Sequence, residues 1–227
     1  MKCVILQPSY VPWRGFFHQV QKADVFVFYD DVQYDKNGWR NRNKIKTPKD
    51  STWLTIPIRN LGLSTPINEV PIDWTQNWAN KHFNSIRLNY AKSPFFKRYE
   101  PLVQSFYERR HELLADFTIE TTIELARALG ITNTKFVRSS SLSANGSKTD
   151  RVLSVLKCVG ATHYISGPSA KDYIEQEKFQ SAGITLEYIE YNYPEYPQLY
   201  PPFDGQVSVL DLLFSVGPKA GTHIWGT

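Results

Sequence analysis

Two adjacent carboxylates, Asp30 and Asp31, follow directly on the apolar segment DVFVFY. A carboxylate at the end of a buried strand lies at the mouth of a cleft, where loss of solvent raises its pKa. Such a group can act as a general base or hold a sugar hydroxyl. The same pair can also simply close the strand and cap the residues that follow, and spacing alone leaves both interpretations open.

The segment NGWRNRNKIK alternates cations with an aromatic residue and amides. Its cations are Arg40, Arg42, Lys44 and Lys46; Trp39 precedes them, and Asn41 and Asn43 lie between them. In an extended chain the cations share one face and the two amides share the other. Guanidinium groups suit phosphate oxygens, and the neighbouring tryptophan suits a base or sugar ring. An ordinary solvated edge strand has the same pattern, and a nucleic acid strand could also bind by stacking.

A histidine in a helix supplies a second candidate base. His82 follows Lys81 in the segment NKHF, and imidazole accepts a proton near neutral pH, although helical histidines are more often structural. His18 is a binding candidate, because it lies in the first helix after the loop expected to border the ligand. No cluster of His and Cys residues predicts a metal site.

Two further segments, GSKTDRVL and SGPSAKDY, place Gly, Ser and Lys near expected helix starts. The free main-chain N–H groups at such starts favour an anion. Neither segment has the P-loop spacing, GxxxxGK followed by Ser or Thr. We therefore take only Gly167 and Ser169 from them as binding candidates.

Composition limits the class of protein. The 227 residues carry 26 cations and 22 anions, a net charge of +4 that is too mild to require nucleic acid and suits an anionic small molecule. With no apolar run near the roughly 18 residues of a membrane span, no signal peptide, and Cys3 and Cys158 in apolar runs, we expect a cytoplasmic protein.

The elements that would position these residues form a βαβ pattern. CVILQ predicts a buried strand, FFHQVQKA a helix and DVFVFYDDV a second strand, so a parallel sheet is expected. STWLTIPI predicts a third strand at an edge, because prolines bracket it. Residues from about 75 to 130 form a helical insertion, after which strands TKFVRSSSL, THYISG and a long GITLEYIEYNY alternate with helices.

The expected fold is therefore a single α/β domain over residues 1–227, with a mostly parallel sheet and a helical middle section. Ligands of such sheets lie outside the carboxyl ends of the strands. This rule selects three loops, QPSYVPWRG, DDVQYDKNGWRNRNK and SGPSAKDY.

Six segments together resemble the WbqC-like protein family. They are QPSYVPWRGFF, FVFYDDVQYDKNGWRNRNKIK, WLTIPI, KHFNSIRLNYAKSPFF, YISGPSAKDY and SVLDLLF, and they span nearly the whole chain. The resemblance implies a bacterial protein associated with gene clusters for O-antigen and other surface polysaccharides. It also implies modification of an activated sugar by acylation or aminoacylation of an amino group.

The first strand, loop and helix are also distantly similar to pantothenate synthetases and the nucleotidyltransferase-like superfamily, which has a Rossmann-like fold. Those enzymes join a carboxylate to an amine through an acyl adenylate. Where they have His-x-Gly-His, this chain reads PWRGF from Pro12 to Phe16, so the imidazoles that would steady the phosphoryl region are absent.

The resulting hypothesis is an enzyme that transfers an acyl or aminoacyl group to the amine of a nucleotide-activated amino sugar, with an acyl thioester or ATP-activated donor. Its alternatives are an ATP-dependent amide ligase and a non-catalytic carbohydrate-binding protein. Candidate catalytic residues are Asp31, His82, Lys81 and Asp30, and candidate substrate-binding residues are Gln7, Tyr10, Trp13, His18, Gln33, Trp39, Arg40, Asn41, Arg42, Asn43, Lys44, Gly167 and Ser169. No metal is expected.

Overall fold

The computed structural model describes residues 1–59, 62, 64–172 and 174–226, and this part of the chain forms seven strands and seven α-helices. The strands are β1 (Lys2–Leu6), β2 (Val25–Phe28), β3 (Arg42–Lys46), β4 (Ser51–Thr55), β5 (Lys135–Arg138), β6 (His163–Ser166) and β7 (Thr185–Tyr188). The helices are α1 (Arg14–Lys22), α2 (Trp78–Tyr90), α3 (Phe96–Glu108), α4 (Leu114–Ala128), α5 (Lys148–Cys158), α6 (Gln176–Ser181) and α7 (Val209–Val216). Short 3-10 helices lie at Ile67–Glu69, Ser139–Ser141, Pro168–Asp172 and Gly217–His223.

Five strands form one parallel sheet in the order β5-β2-β1-β6-β7. β1 and β2 are central, and their continuous apolar runs are buried because helices cover both faces of the sheet. The chain builds outward from β1 to β2 and β5, and then returns to the other side of β1 for β6 and β7. The sheet order therefore reverses between β1 and β6. The parallel α/β architecture predicted from the sequence is confirmed.

Two apolar cores lie on opposite faces of the sheet. The larger packs α1 and α7 with the helical section α2 to α4, and the smaller packs α5 and α6 against Cys3, Ile5 and Val27 of the sheet. The helical section runs from Trp78 to Ala128, close to the expected 75–130. Gly130, at φ 83°, follows it in the left-handed conformation that commonly ends a helix.

One of two strand predictions is confirmed, and the other was too long. STWLTIPI contains β4, an edge strand as expected, which pairs antiparallel with β3 in a separate two-stranded sheet. The connection is so short that a local hairpin is favoured, and it is closed by a hydrogen bond from the Thr47 amide to the Asp50 carbonyl (2.8 Å). The expected long last strand ends at Tyr188, and the residues that follow do not pair in the sheet, because Tyr191 and Tyr193 pack on Trp13.

Candidate functional site

A cavity of about 660 Å³ opens at the carboxyl ends of β1 and β6, where the strand order reverses. This is the place where ligands of doubly wound sheets bind. Its walls come from the loop after β1, the segment before β3, the start of α5, the turn after β6 and the stretch after β7. Polar and aromatic lining residues include Gln7, Ser9, Trp13, Gln19, Trp39, Arg40, Asn43, Lys148, Thr149, Ser166, Ser169, Tyr191 and Gln206.

The loop after β1 forms one wall, and residues of the cationic segment hold it in place. Arg40 Nη1 donates to the carbonyls of Gln7 (3.0 Å) and Pro8 (3.3 Å). Asn43 Nδ2 donates to the carbonyls of Tyr10 (3.1 Å) and Val11 (2.8 Å). Val11 has φ 35°, a costly conformation for a β-branched residue, so the loop depends on these outside contacts.

Trp13 forms the wall on the α1 side, and Gly15 makes room for it. A Cβ at Gly15 would lie 2.3 Å from the Trp13 ring, so only glycine lets the indole rest on the first turn of the helix. Tyr191 packs edge-on against the same indole at 5.0 Å between ring centroids. Its hydroxyl accepts a hydrogen bond from Gln19 Nε2 (2.7 Å).

The cavity is electropositive. Among the described lining residues Arg40 and Lys148 carry positive charge, and none is Asp, Glu or His. Lys148 and Thr149 begin α5, whose first main-chain N–H groups and helix dipole add to the positive potential. Burial lowers the pKa of Arg40, and the Asp35 carboxylate, 3.4 Å from its Nε, partly offsets this shift. A guanidinium remains charged under such a shift, so the site suits an anionic ligand.

Seven of the residues predicted from the sequence to bind a ligand line this one cavity. They are Gln7, Trp13, Trp39, Arg40, Asn43, Gly167 and Ser169. They come from three separate loops, the ones that the strand-end rule selects. Their roles toward a ligand stay predictions.

Asp30 and Asp31, the candidate acids, lie outside the lining. Asp30 is fully buried and accepts hydrogen bonds from the Ser139 hydroxyl (3.1 Å) and the amide and hydroxyl of Ser140 (3.0 and 2.8 Å). Asp31 accepts from Ser139 and forms an ion pair with Arg151 on α5. Both carboxylates connect the end of β2 to residues that follow β5. Because their oxygens already have partners within the protein, this arrangement does not favour either one as a general base.

His82 and Lys81 are also away from the cavity. His82 is buried on α2, where its Nδ1 lies 2.9 Å from the Tyr10 hydroxyl and its ring donates to the Thr55 carbonyl. Burial lowers the pKa of His82 to about 4. Both ring nitrogens of His82 have partners within the helical core, and Lys81 is exposed on the same helix. Neither residue lines the cavity, and their catalytic roles stay predictions.

The cations of the segment NGWRNRNKIK do not all face the cavity. Arg42 and Lys44 lie over the ring of Trp53, at 4.5 Å and 5.4 Å from its centroid, outside the cavity lining. Of the three cations predicted to bind the ligand, Arg40, Arg42 and Lys44, only Arg40 is among the described residues that line the cavity. The cause is the hairpin, because Trp53 on β4 faces Lys44 directly across the strand pair.

Four other binding candidates serve the structure. Tyr10 is buried, with its hydroxyl 2.6 Å from that of Tyr107. His18 Nδ1 lies 2.9 Å from the Tyr193 hydroxyl, and Asn41 donates to the Ile56 carbonyl (2.8 Å). Gln33 is exposed and bridges to Pro66. None of the four lines the cavity.

Several lining residues had not been singled out from the sequence. Lys148 and Thr149 lie in GSKTDRVL, where the Gly-Ser-Lys run before a helix was the available signal. Tyr191 and Gln206 come from the irregular stretch after β7, and Gln19 from α1. No local pattern marks these three, because tertiary packing brings them to the cavity.

Within residues 1–59, 62, 64–172 and 174–226, no helix has the length and apolar character to cross a membrane. In the same residues no group of three or more His, Cys, Asp and Glu side chains could hold a metal ion.

Comparison with known proteins identifies the family. Residues 7–223 match the model of the WbqC-like protein family. The chain is 35% identical over 226 residues to the uncharacterized protein Rv1507c of Mycobacterium tuberculosis, with 98% of this chain and 97% of that protein covered. No solved structure matches significantly. The extent of both matches shows that the chain belongs to the WbqC-like protein family.

Proposed function

We propose that the protein is a transferase of surface-polysaccharide precursor biosynthesis, which binds a nucleotide-activated amino sugar and transfers an acyl or aminoacyl group to its amine. The observation that carries the proposal is the cavity at the strand ends, with Arg40 and Lys148 as its charged lining residues and Trp13 and Trp39 among its walls. Cations beside aromatic rings favour a ligand that joins phosphate to a ring.

The size of the cavity supports a small-molecule ligand. Its volume of about 660 Å³ lies within the roughly 300–1,000 Å³ of typical ligand sites. Hydroxyl groups of Ser9, Thr149 and Ser166 and the Gln7 amide supply polar contacts of the kind that orient a sugar. Gln7, at the end of β1, is the candidate donor to the developing oxyanion.

The reaction places simple demands on the protein. The sugar amine attacks the carbonyl carbon of an acyl thioester, a C–N bond forms, and the C–S bond breaks to release a thiolate. The ammonium proton then passes to that thiolate or to solvent, since a thiolate with a pKa of about 8.5 is basic enough to take it. The contribution of the protein would therefore be positioning and oxyanion stabilisation.

A second candidate function, non-catalytic binding of the activated sugar, is favoured by one observation. No described residue lining the cavity is Asp, Glu or His, the usual general bases. A binding protein needs no such group. The two candidates predict the same ligand and differ only in turnover.

The test begins with a thermal-shift screen of nucleotide sugars, free nucleotides, sugar phosphates and ATP. The proposal expects a nucleotide sugar to raise the melting temperature, because a ligand that binds only the folded state stabilises it. Lys148→Gln should weaken this binding about 10- to 150-fold, because a charge-assisted contact is worth about 1.5–3 kcal/mol. Lys157→Gln, at the exposed end of the same helix, is the matched control and should bind normally.

Turnover is then measured by mass spectrometry after incubation with the bound sugar and acyl or aminoacyl thioesters. An acylated sugar supports the transferase, whereas binding without product for all thioesters favours the binding protein. Pyrophosphate exchange driven by a carboxylic acid would favour the ATP-dependent ligase. If no nucleotide sugar stabilises the protein, the proposed function is rejected.

A further inference from the structure

Two exposed tryptophans pack together beside the cavity. Trp39 and Trp53 are 41% and 43% exposed, and their ring centroids are 5.2 Å apart at an interplanar angle of 38°. In the described part of the chain, the other exposed large apolar residues are Met1 and Leu88, which stand singly. Tryptophan has a large apolar side chain, and two of them exposed side by side are unusual on a protein surface.

The same surface carries positive charge. The Arg42 guanidinium carbon lies 4.5 Å and Lys44 Nζ 5.4 Å from the centroid of the Trp53 ring. Arg42 is fixed there by a hydrogen bond from Nη2 to the Asn37 carbonyl (2.6 Å). We call Trp39, Trp53, Arg42 and Lys44 the rim surface.

The rim surface is continuous with the cavity. Trp39 belongs to both, since it lines the cavity and contacts Trp53. The cavity contains its own cations, Arg40 and Lys148. A ligand that fills the cavity and extends past Trp39 therefore meets a second set of rings and charges outside.

The size of the rim surface favours a small ring over a protein partner. At about 250 Å² for a whole tryptophan, the exposed fractions of the two indoles leave roughly 200 Å². A standard protein interface buries about 800 Å² on each partner. Flat nucleobases stack on exposed aromatic side chains, and nearby cations suit the attached phosphates.

We propose that the rim surface binds the nucleotide half of the ligand, with the nucleobase stacked on the tryptophan pair and the sugar inside the cavity. This inference rests on the proposed function and deepens it. It assigns Trp53, Arg42 and Lys44 a role outside the cavity and makes Trp53 a binding residue for the nucleobase. The sugar end depends instead on the cavity residues.

The test compares the wild-type protein with Trp53→Ala by isothermal titration calorimetry. The ligands are the nucleotide sugar found by screening, its nucleoside diphosphate and its sugar 1-phosphate. Trp53→Ala should weaken binding of the first two about 5- to 150-fold, the range expected for loss of one stacked base, and leave binding of the third within 2-fold. Trp53→Phe should restore most of the affinity, because a flat ring remains.

A matched control removes an exposed apolar side chain elsewhere. Leu88, on α2, is 82% exposed, and Leu88→Ala should bind all three ligands normally. Melting temperatures establish that each variant is folded. Arg42→Gln should lower the affinity for the nucleotide sugar and the nucleoside diphosphate, and it should reduce the salt dependence of their binding.

The outcomes separate the two proposals. If the wild type and Trp53→Ala bind the nucleotide sugar equally, the rim assignment is overturned while the proposed function stands. A loss in Trp53→Ala that extends to the sugar 1-phosphate also overturns it, since the sugar end would then lie on the rim. If the wild type binds no nucleotide ligand, both proposals fail.

Discussion

The carboxylate of Asp31 connects elements that are distant in sequence. It accepts a hydrogen bond from Ser139 and pairs with Arg151, and Val152, the next residue on α5, lines the cavity. Asp31 thus helps to position one wall of the cavity and is not itself among the lining residues. At this scale, what a residue does is decided by its partner more than by its type.

The Asp31–Arg151 contact is testable by a double-mutant cycle. Asp31→Asn and Arg151→Gln should each lower the free energy of unfolding by about 1–3 kcal/mol, and the double variant should lose less than the sum, because each change leaves the other partner without its charge. Urea unfolding followed by circular dichroism measures all three. If Asp31 were also a general base, Asp31→Asn would in addition lower the rate of acyl transfer about 10²- to 10⁴-fold.

The residue types at the site were readable from the sequence, but their orientation was not. Alternation in NGWRNRNKIK places Asn43 and Lys44 on opposite faces, as observed. Nothing local says that Arg40 would donate to carbonyls of residues 7 and 8, or that Lys44 would meet Trp53. Such partners depend on how the hairpin docks, which is a long-range event.

At the scale of elements, the β3–β4 hairpin supports the loop after β1. Asn43 is the link, since its amide spans two carbonyls of that loop and one of them belongs to the strained Val11. Ile45 and Leu54 anchor the hairpin in the larger core. The hairpin can therefore transmit its position to the cavity wall.

Asn43→Ala should uncouple the two elements. We expect the free energy of unfolding to fall by about 1–3 kcal/mol, because two buried carbonyls lose their donor. Ligand affinity should fall as well, since the loop would relax toward an unstrained conformation at Val11. Asn84→Ala, an exposed position on α2, is the control and should change neither quantity. Equal melting temperatures and affinities in all three proteins would contradict this account.

Local periodicity predicted the elements that are buried on both faces or amphipathic, namely β1, α1, β2 and the helical section. It also predicted the edge strand β4 but not the sheet to which β4 belongs, because an edge strand of one sheet and a strand of a separate hairpin have the same alternation. It also overextended β7, since aromatic residues after Tyr188 pack on Trp13 and Arg14 instead of pairing in the sheet. Pairing partners, and not strand propensity, decide these cases.

At the scale of the whole molecule, His82 joins the loop after β1, the hairpin and the helical section. Its contacts are the Tyr10 hydroxyl and the Thr55 carbonyl, with Tyr107 completing the chain of hydroxyls. Burial holds its pKa near 4, below the ordinary value of 6.5. The neutral imidazole is therefore part of the folded state.

Stability should consequently fall with acid. In the unfolded chain His82 takes up a proton near pH 6.5, whereas in the folded protein it does so near pH 4. The unfolded state thus binds more protons between these values, which destabilises the fold by roughly 3 kcal/mol at the lower end. Urea unfolding from pH 4 to 7 measures the slope.

Two variants isolate this contribution. His82→Gln should flatten the pH dependence between 4 and 6.5, because the titrating group is gone. Tyr10→Phe removes a contact of the imidazole but keeps it buried, so this variant should be less stable overall and retain the slope. An unchanged slope in His82→Gln would show that other groups govern the acid sensitivity.

Trp13 and Trp39 both line the cavity, and this arrangement has a practical consequence. A compound that enters must come close to an indole, so occupancy should alter the ultraviolet emission of the unlabelled protein. Replacing Trp13 or Trp39 by phenylalanine, one at a time, would then show which of the two indoles lies next to the bound compound. Intrinsic tryptophan fluorescence can therefore be used to screen compounds for binding to the cavity.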